Sequence, residues 1–257
     1  MIFDTHAHYD DERFDEDRFE LIEELHKDGI KYILNAASDV NSTKIGLMLA
    51  QKYDFVFTAA GIHPHHVEKI DDNTIAELEE LVRSSKKIVA IGEIGLDYYY
   101  DFTPREIQKK WFKEQINLAK KTKLPIIIHD RDSHEDIMKL IIDEEAKEVG
   151  GVFHCYSGSI EMARDVLDNN FYMSFGGPVT FKNARKVIDV VKFVPEDRLL
   201  VETDCPYLTP EPFRGKRNHS GYLKHIIKKI AEIKGLSFEK VAELTMENGK
   251  RLFRGIR

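Results

Sequence analysis

Short apolar runs alternate along this chain with segments in which apolar residues recur every three or four positions. The first run ends at His8, and the stripe of Phe14, Leu21 and Leu25 behind it has the spacing of one helix face. An apolar run of about four to eight residues is typical of a buried strand. Eight such runs occur, at residues 2–8, 32–37, 55–62, 88–93, 125–129, 151–154, 172–175 and 199–204.

Eight strand–helix units predict a closed parallel (β/α)8 barrel, the TIM barrel fold. Each strand is apolar on both faces, as a strand covered by helices requires, and each unit has the length of a βαβ repeat. An open doubly wound sheet is the alternative, but no Gly-x-Gly-x-x-Gly motif opens any helix. No linker or low-complexity segment divides the chain, so we expect one barrel domain over residues 1–257.

Two helix starts stand out in the sequence. Thr103-Pro104-Arg105-Glu106 matches a capping box, which predicts Thr103 as the N-cap and Pro104 as the first helical residue. Ser237 is predicted as the N-cap of the last helix.

The composition narrows the class of protein. The chain has 257 residues, of which 42% are hydrophobic, and its net charge of -7 argues against non-specific coating of nucleic acid, although it permits a local basic patch. Two cysteines fit a reducing compartment better than a disulfide framework. There is no signal-like N-terminus and no apolar stretch that could span a bilayer, so we expect a cytoplasmic protein with no membrane association. No obligate protein partner is evident.

Histidines mark the ends of several predicted strands. Because strand side chains alternate between faces, His6 and His8 should project to one side, together with Asp4. The carboxyl ends of barrel strands converge on one mouth, and imidazoles and carboxylates without a thiolate suit Zn, Mn or Mg, so a metal site is predicted there. The other polar residues at or just beyond strand ends are His63, His65, Glu93, His129, His154 and Asp204.

These residues belong to seven longer motifs. In chain order the motifs are FDTHAH (3–8), GIHPH (61–65), GEIGLDY (92–98), IHDRD (128–132), HCYSG (154–158), ETDCPYL (202–208) and RGKRN (214–218). In this order, and over essentially the whole chain, they resemble the TatD family of metal-dependent hydrolases. One departure is visible after Asn218, where the family usually continues Glu-Pro and this chain has His219-Ser220; it affects the last loop and not the ligands.

The resemblance implies a barrel of the metallo-dependent hydrolase superfamily that binds two divalent ions (Mg, Mn or Zn) and acts as a nuclease on DNA ends. It also implies that Glu93 bridges the two ions. The implied ligands are His6, His8, Glu93 and Asp204 for one ion, and Glu93, His129 and His154 for the other.

Phosphodiester hydrolysis suits these residue types. Two ions about 3.5 to 4 Å apart can share an activated water and stabilise both oxygens of an in-line displacement at phosphorus, and a carboxylate such as Glu93 suits the bridge. Asp204 is predicted to accept the proton of the attacking water, with a purely ligating role as the alternative.

Further residues at the mouth are predicted to bind substrate. His63 and His65 are expected to contact the phosphate or the leaving group, with a loop-stabilising hydrogen bond as the alternative. The basic residues expected to form a small anion-binding rim, unless they are merely solvated, are Arg131, Arg214, Lys216 and Arg217. The aromatic loop at residues 98–102 could stack on unpaired bases or pack over the rim.

Four residues next to the predicted ligands have supporting roles. Asp4 and Glu202 each lie two positions deeper than a ligand, and we hypothesise that at least one of them orients a ligating histidine. Cys155 and Cys205 each follow a ligand directly, so strand alternation should turn both outward as packing residues.

Three functions remain open at this point. The first is a metal-dependent phosphodiesterase, most simply a 3′-end deoxyribonuclease whose partner is a DNA end or another phosphoester. The second is a small-molecule amidohydrolase or lactonase on the same barrel. The third is a non-catalytic metal-binding barrel, which predicts ions without an open water position.

Overall fold

Eight strands line the centre of the molecule, and the computed structural model describes residues 1–256. They are β1 (Ile2–Ala7), β2 (Ile30–Asn35), β3 (Val56–Ala60), β4 (Ile88–Asp97), β5 (Ile126–Arg131), β6 (Gly151–Phe153), β7 (Phe171–Phe175) and β8 (Leu199–Val201). Each strand pairs in parallel with the next. The ring closes just beyond β8, where Ala7 bridges to Cys205 and the Asp204 amide donates to the carbonyl of His6 at 2.9 Å. The predicted (β/α)8 barrel is confirmed.

Helices follow the strands and cover the barrel. Within the described residues they are α1 (Arg18–Lys27), α2 (Val40–Lys52), α3 (Asp72–Ser84), α4 (Arg105–Thr122), α5 (His134–Asp143), α6 (Ile160–Asp168), α7 (Arg185–Phe193), α8 (Leu223–Lys234) and α9 (Phe238–Leu252). None of the helices in residues 1–256 has the length and apolarity needed to cross a membrane.

One of the two predicted helix starts is confirmed and the other is wrong. The Ser237 hydroxyl accepts from the Lys240 amide at 3.1 Å and caps α9. At α4, however, Pro104 is itself the N-cap, because its ψ of 134° is extended, and no side chain caps this helix. The predicted N-cap Thr103 lies one residue outside the helix and is buried.

The barrel interior has its own apolar cluster, separate from the layer between strands and helices. It contains residues from all eight strands and is joined by Leu252 at the end of α9 and by Phe253 and Ile256 after it. The rings of Phe3 and Phe253 meet edge to face at 6.2 Å. The C-terminal segment therefore packs against the amino-terminal end of the barrel and leaves the carboxyl-terminal mouth open for polar residues.

A register shift in β1 decides which side chains face the interior. Between Asp4 and Ala7, β1 advances three residues while its partner β2 advances only two, from Ile33 to Asn35. Phe3 belongs to the interior cluster, so regular alternation would turn His6 outward. Beyond the shift, however, His6 faces inward. The prediction that Asp4 lies on the same side as the histidines is wrong, because the shift reverses the alternation between them.

Candidate metal centre

The end of β1 and the middle of β4 bring three donors together. His6 and His8 place their Nε2 atoms 3.0 Å apart, and the Oε2 atom of Glu93 lies 3.3 Å from the first and 3.5 Å from the second. All three residues are buried. His8 also donates from Nδ1 to the carbonyl of Ala36 at 3.2 Å, which leaves its Nε2 lone pair directed into the site.

Asp204 completes this first group of donors. Its Oδ1 atom lies 3.3 Å from Nε2 of His8 and 3.7 Å from Nε2 of His6. The residue follows β8 and adopts a left-handed φ of 54°. This turn, together with the hydrogen bond from its amide to His6, holds the carboxylate over the mouth.

The second oxygen of Glu93 faces another pair of imidazoles. Oε1 lies 2.7 Å from Nδ1 of His129 and 2.7 Å from Nε2 of His154, and these two nitrogens are 3.3 Å apart. The His154 ring also stacks on His6 at a centroid distance of 4.1 Å. Glu93 therefore stands between two groups of donors, one at each of its oxygens.

The donor set fits divalent cations. Ligand atoms bound at about 2.0–2.2 Å to one ion lie about 3 to 3.5 Å from each other. The donor atoms are 3.0 to 3.7 Å apart in the first group and 2.7 to 3.3 Å apart in the second, so small shifts of the side chains would admit an ion to either. Within residues 1–256, three sets of three residues have ligand atoms within 4.8 Å of one another: His6, His8 and Glu93; His6, His154 and Glu202; and His63, Glu93 and His129. If the imidazoles were neutral, their lone pairs would point at one another and at the carboxylate oxygens, and these groups would repel. A positive charge among the donor atoms is therefore needed to stabilise this geometry.

Protons on the imidazoles are one source of that charge. Burial opposes protonation of His8, but the Asp204 and Glu93 carboxylates outweigh it and raise its pKa to about 9. Burial likewise disfavours the Glu93 carboxylate, yet the neighbouring His154, His6 and His63 hold its pKa well below the ordinary value. A bound cation would displace such protons, so metal affinity should fall as the pH falls.

His63 lies closer to the predicted metal ligands than a substrate-binding role requires. Its Nε2 atom is 3.7 Å from Oε1 of Glu93, and its ring is 4.4 Å from that of His129. Burial and the neighbouring His129 hold its pKa far below the ordinary value, so His63 is neutral and able to donate a lone pair. His65 instead places Nε2 2.9 Å from the carboxylate of Asp97.

Asp97 is a site residue that the sequence analysis missed. Its Oδ2 atom lies 3.0 Å from Nε2 of His129 and 2.9 Å from Nε2 of His65, while Oδ1 accepts from the Tyr99 and Tyr100 amides. Burial opposes its ionisation, but these contacts hold its pKa far below the ordinary value. The sequence did contain a clue, because Asp97 follows Glu93 by four residues in the same motif. The strand was predicted to end at residue 93, but β4 runs to Asp97.

The two carboxylates beneath the site differ. Glu202 is fully buried, and its Oε1 atom accepts from the Cys155 amide at 2.7 Å and lies 3.3 Å from Nδ1 of His154. Asp4 hydrogen-bonds to Thr203 and Ser220 and to no imidazole. The position of Glu202 suits orientation of a histidine, and that of Asp4 suits closure of the barrel between β1 and the segment after β8.

The predicted basic rim is only partly present. Arg131, at the end of β5, lies over the ring of Tyr99 at 4.7 Å, beside the mouth. Arg214 lies over Phe181 at 3.8 Å, and Arg217 is paired with Asp17 and with the Arg13 carbonyl. The fourth member, Lys216, lies over Phe213 at 5.5 Å. Arg214, Lys216 and Arg217 therefore contact residues of the loops, and only Arg131 lies beside the metal-donor residues.

The two cysteines also have different surroundings. Cys205 is fully buried in the layer between strands and helices, as predicted. Cys155 has a left-handed φ of 41°, which interrupts strand alternation. Its backbone amide donates to Oε1 of Glu202 at 2.7 Å, and burial together with the Glu202 and Asp204 carboxylates raises the pKa of its thiol. Cys155 therefore adjoins the site, and its outward orientation stays a prediction.

Comparison with known proteins agrees with this geometry. Residues 3–254 match the model of the family described as TatD related DNase. The chain is 48% identical over 254 residues to the uncharacterized metal-dependent hydrolase YabD of Bacillus subtilis, covering 99% of both. It is 34% identical to the uncharacterized metal-dependent hydrolase YcfH of Escherichia coli K12, covering 98% of this chain and 96% of the relative.

Solved structures give the same fold. The crystal structure of YjjV, a TatD homolog from Escherichia coli K12, superposes with a TM-score of 0.92 at 29% identity and covers 98% of both chains. A hydrolase engineered from a promiscuous lactonase template superposes with a TM-score of 0.65 at 16% identity, over 92% of this chain and 85% of that one. The second likeness extends to the fold alone.

Proposed function

This chain belongs to the TatD-related DNase family and is a metal-dependent hydrolase, and from that premise we propose that it cleaves phosphodiester bonds at the 3′ ends of DNA. The observation that carries the proposal is the position of Glu93, whose two oxygens face two separate groups of imidazole and carboxylate donors. A carboxylate between two cation sites is the arrangement that in-line displacement at phosphorus uses.

The residues divide into two ligand sets around this carboxylate. His6, His8 and Asp204 would hold one ion, and His129 and His154 the other, with Glu93 shared. Two divalent ions bound there would supply a Lewis acid and an activated water. The site residues fix the orientation of the donors, since His8 is anchored to the Ala36 carbonyl and His129 to Asp97.

Asp204 is the proposed proton acceptor. Burial raises its pKa, but His8, His154 and His6 outweigh this and lower it, so the carboxylate is ionised at neutral pH. Its side chain is 14% exposed, more than the 4% of Glu93, so solvent reaches it. An ionised carboxylate at the solvent side of the donors can take a proton from the attacking water and release it to bulk.

The aromatic loop favours a nucleic acid over a small ester. Tyr99, Tyr100 and Phe102 are 57%, 55% and 66% exposed, so packing over the rim does not account for them. His65 contacts the Tyr100 and Phe102 rings at 5.4 and 4.9 Å and reaches the site through Asp97. Exposed rings beside the donors suit stacking on unpaired bases.

The two other candidate functions have less support. A lactonase or amidohydrolase on this barrel is favoured only by neighbours that share the fold at 14–17% identity. A closed, non-catalytic metal site is disfavoured by the exposure of the His129 and Asp204 side chains, 17% and 14%, because an open position needs access for water.

Activity measurements separate the three functions. We expect 3′-labelled single-stranded DNA to be degraded with Mg or Mn, and a panel of lactones and amides to remain intact. Glu93→Gln and Asp204→Asn should abolish the nuclease activity, and the matched exposed variants Glu239→Gln and Asp197→Asn should retain it. Turnover of a lactone or amide that needs Glu93, without nuclease activity, would replace this proposal with the second function.

A further inference from the structure

A second concave surface lies at the end of the barrel opposite the metal ligands. Its lining includes Lys86, Leu124, Gly150, Asn170 and Arg198, which lie at or close to the amino-terminal ends of β4 to β8. Its volume is about 1470 Å³. The metal ligands lie at the carboxyl-terminal ends of the same barrel, so this basal groove is separate from the catalytic mouth.

The basal groove is strongly basic in a chain whose net charge is -7. Among the described residues that line it, Glu148 is the one carboxylate. The cationic residues of the lining are Arg83, Lys86, Lys120, Lys121, Lys123, Arg198, Arg251 and Arg254. The rest of the molecule carries the acidic excess, so the groove is the natural place for an anion to approach.

Several of these cations have no partner among residues 1–256. Lys86, Lys123 and Arg254 are exposed, and none of them makes a side-chain hydrogen bond or ion pair within residues 1–256. Lys121 differs, because its Nζ lies 2.6 Å from the Glu79 carboxylate at the edge of the groove. The unpaired cations remain available to a ligand.

The lining also indicates the kind of ligand. No large hydrophobic side chain of the groove is exposed, and Tyr172, its aromatic residue, is buried. Protein interfaces usually centre on buried aromatic and aliphatic anchors. Cations without such anchors fit a phosphate chain, whose binding is dominated by charge. We propose that the basal groove binds the phosphodiester backbone of a nucleic acid strand.

This binding goes beyond the proposed nuclease activity and does not depend on it, because the groove and the mouth lie at opposite ends of the barrel. A strand held at the base would keep the protein on a long polymer while an end is released or re-enters the mouth. If the protein does not cleave DNA, the proposal that the basal groove binds a strand still stands. If the groove does not bind a strand, the proposed nuclease activity still stands.

The test is a binding titration in EDTA, where metal-dependent cleavage is prevented. Fluorescence anisotropy with a labelled 20-nucleotide single strand should show salt-dependent binding by the wild-type protein. Lys86→Glu combined with Lys123→Glu should weaken it at least about tenfold at low salt and reduce the slope of log K against log salt by about 1 to 1.5. The matched control is Lys27→Glu with Lys228→Glu, two exposed lysines outside the groove with the same change in net charge.

Lysine acetylation read by mass spectrometry locates the strand. The proposal predicts that DNA protects Lys86 and Lys123 but not Lys27 or Lys228. Equal weakening by the two double variants, absence of protection, or equally tight groove-dependent binding of poly-glutamate would overturn it. The last result would assign the groove to an acidic protein instead.

Discussion

Asp97 shows how a single carboxylate can control two histidines at the mouth. It contacts His129 and His65 through one oxygen and fixes the start of the aromatic loop through the other. A carboxylate that holds the far nitrogen of a ligating imidazole sets its tautomer and orientation. Asp97 therefore positions His129 from outside the ligand set.

We predict that Asp97→Asn weakens metal binding and nuclease activity by about 10- to 100-fold, because the amide cannot replace the charge that faces His129. Calorimetric titration with Mn should show the loss mainly at one of two sites. Asp101→Asn, in the exposed end of the same loop, is the control and should bind Mn normally. Unchanged Mn affinity in Asp97→Asn would remove the positioning role.

At the residue scale the sequence predicted which donors meet but not how they are supported. His6, His8, Glu93, His129, His154 and Asp204 converge because strand ends of a barrel must converge. Asp97 was missed because the strand that carries it runs four residues further than its apolar run. Asp4 was misplaced because a register shift cannot be read from alternation alone.

At the scale of elements, the loop after β4 forms an exposed aromatic surface beside the site. Tyr99 carries Arg131 over its ring, and Phe102 is in contact with His65. Both rings have a polar neighbour and are more than half exposed, which suits stacking on unpaired bases.

Removing these rings should affect long substrates only. We predict that Tyr99→Ala with Phe102→Ala raises KM for single-stranded DNA by about 5- to 150-fold, since stacking on one base contributes about 1–3 kcal/mol. Hydrolysis of bis(p-nitrophenyl) phosphate, which cannot span from the site to the loop, serves as the internal control. An equal fall in kcat for both substrates would indicate damage to the site rather than loss of stacking.

A second element-scale contact joins the loops after β1 and β8. Asp11 accepts hydrogen bonds from Arg13 and from the Tyr207 hydroxyl at 3.0 Å. Burial raises its pKa, but these donors outweigh it and lower the pKa to about 2 from 3.8. Because the folded value lies below the unfolded one, the contact stabilises the protein above pH 3.8 and loses this effect as the pH falls toward 2.

Asp11→Asn should therefore lower the free energy of unfolding by about 1 kcal/mol at pH 7, an amount reduced by the partial exposure of the group. The difference from wild type should shrink between pH 4 and pH 2 in urea unfolding experiments. Asp15→Asn, which breaks an exposed pair with Arg18, should change stability little at any of these pH values. A difference that stays constant with pH would contradict the assigned linkage.

Element boundaries were less predictable than element types. All eight strands were predicted, because buried parallel strands have long apolar runs. The start of α4 was not, since Pro104 can serve either as the N-cap or as the first helical residue and only its ψ distinguishes the two. Local motifs such as Thr103 to Glu106 compete with tertiary packing, which here buries Thr103.

At the scale of the whole molecule, charge is divided between the two ends of the barrel. Carboxylates and imidazoles occupy the mouth, and lysines and arginines surround the basal groove. The net charge in the sequence hides this separation, because the groove is assembled from segments that precede five different strands. The polar residues of the mouth could be predicted because they belong to sequence motifs. The cationic residues of the groove belong to no motif, so the groove could not be predicted.

The central claim is that Glu93 lies between two cation sites at the mouth of the barrel. Anomalous diffraction from a crystal soaked in manganese tests it most directly. The account predicts two peaks, one on each side of the Glu93 carboxylate, the first beside His6 and His8 and the second beside His129 and His154. A single peak, peaks elsewhere on the surface, or none at these residues would contradict it.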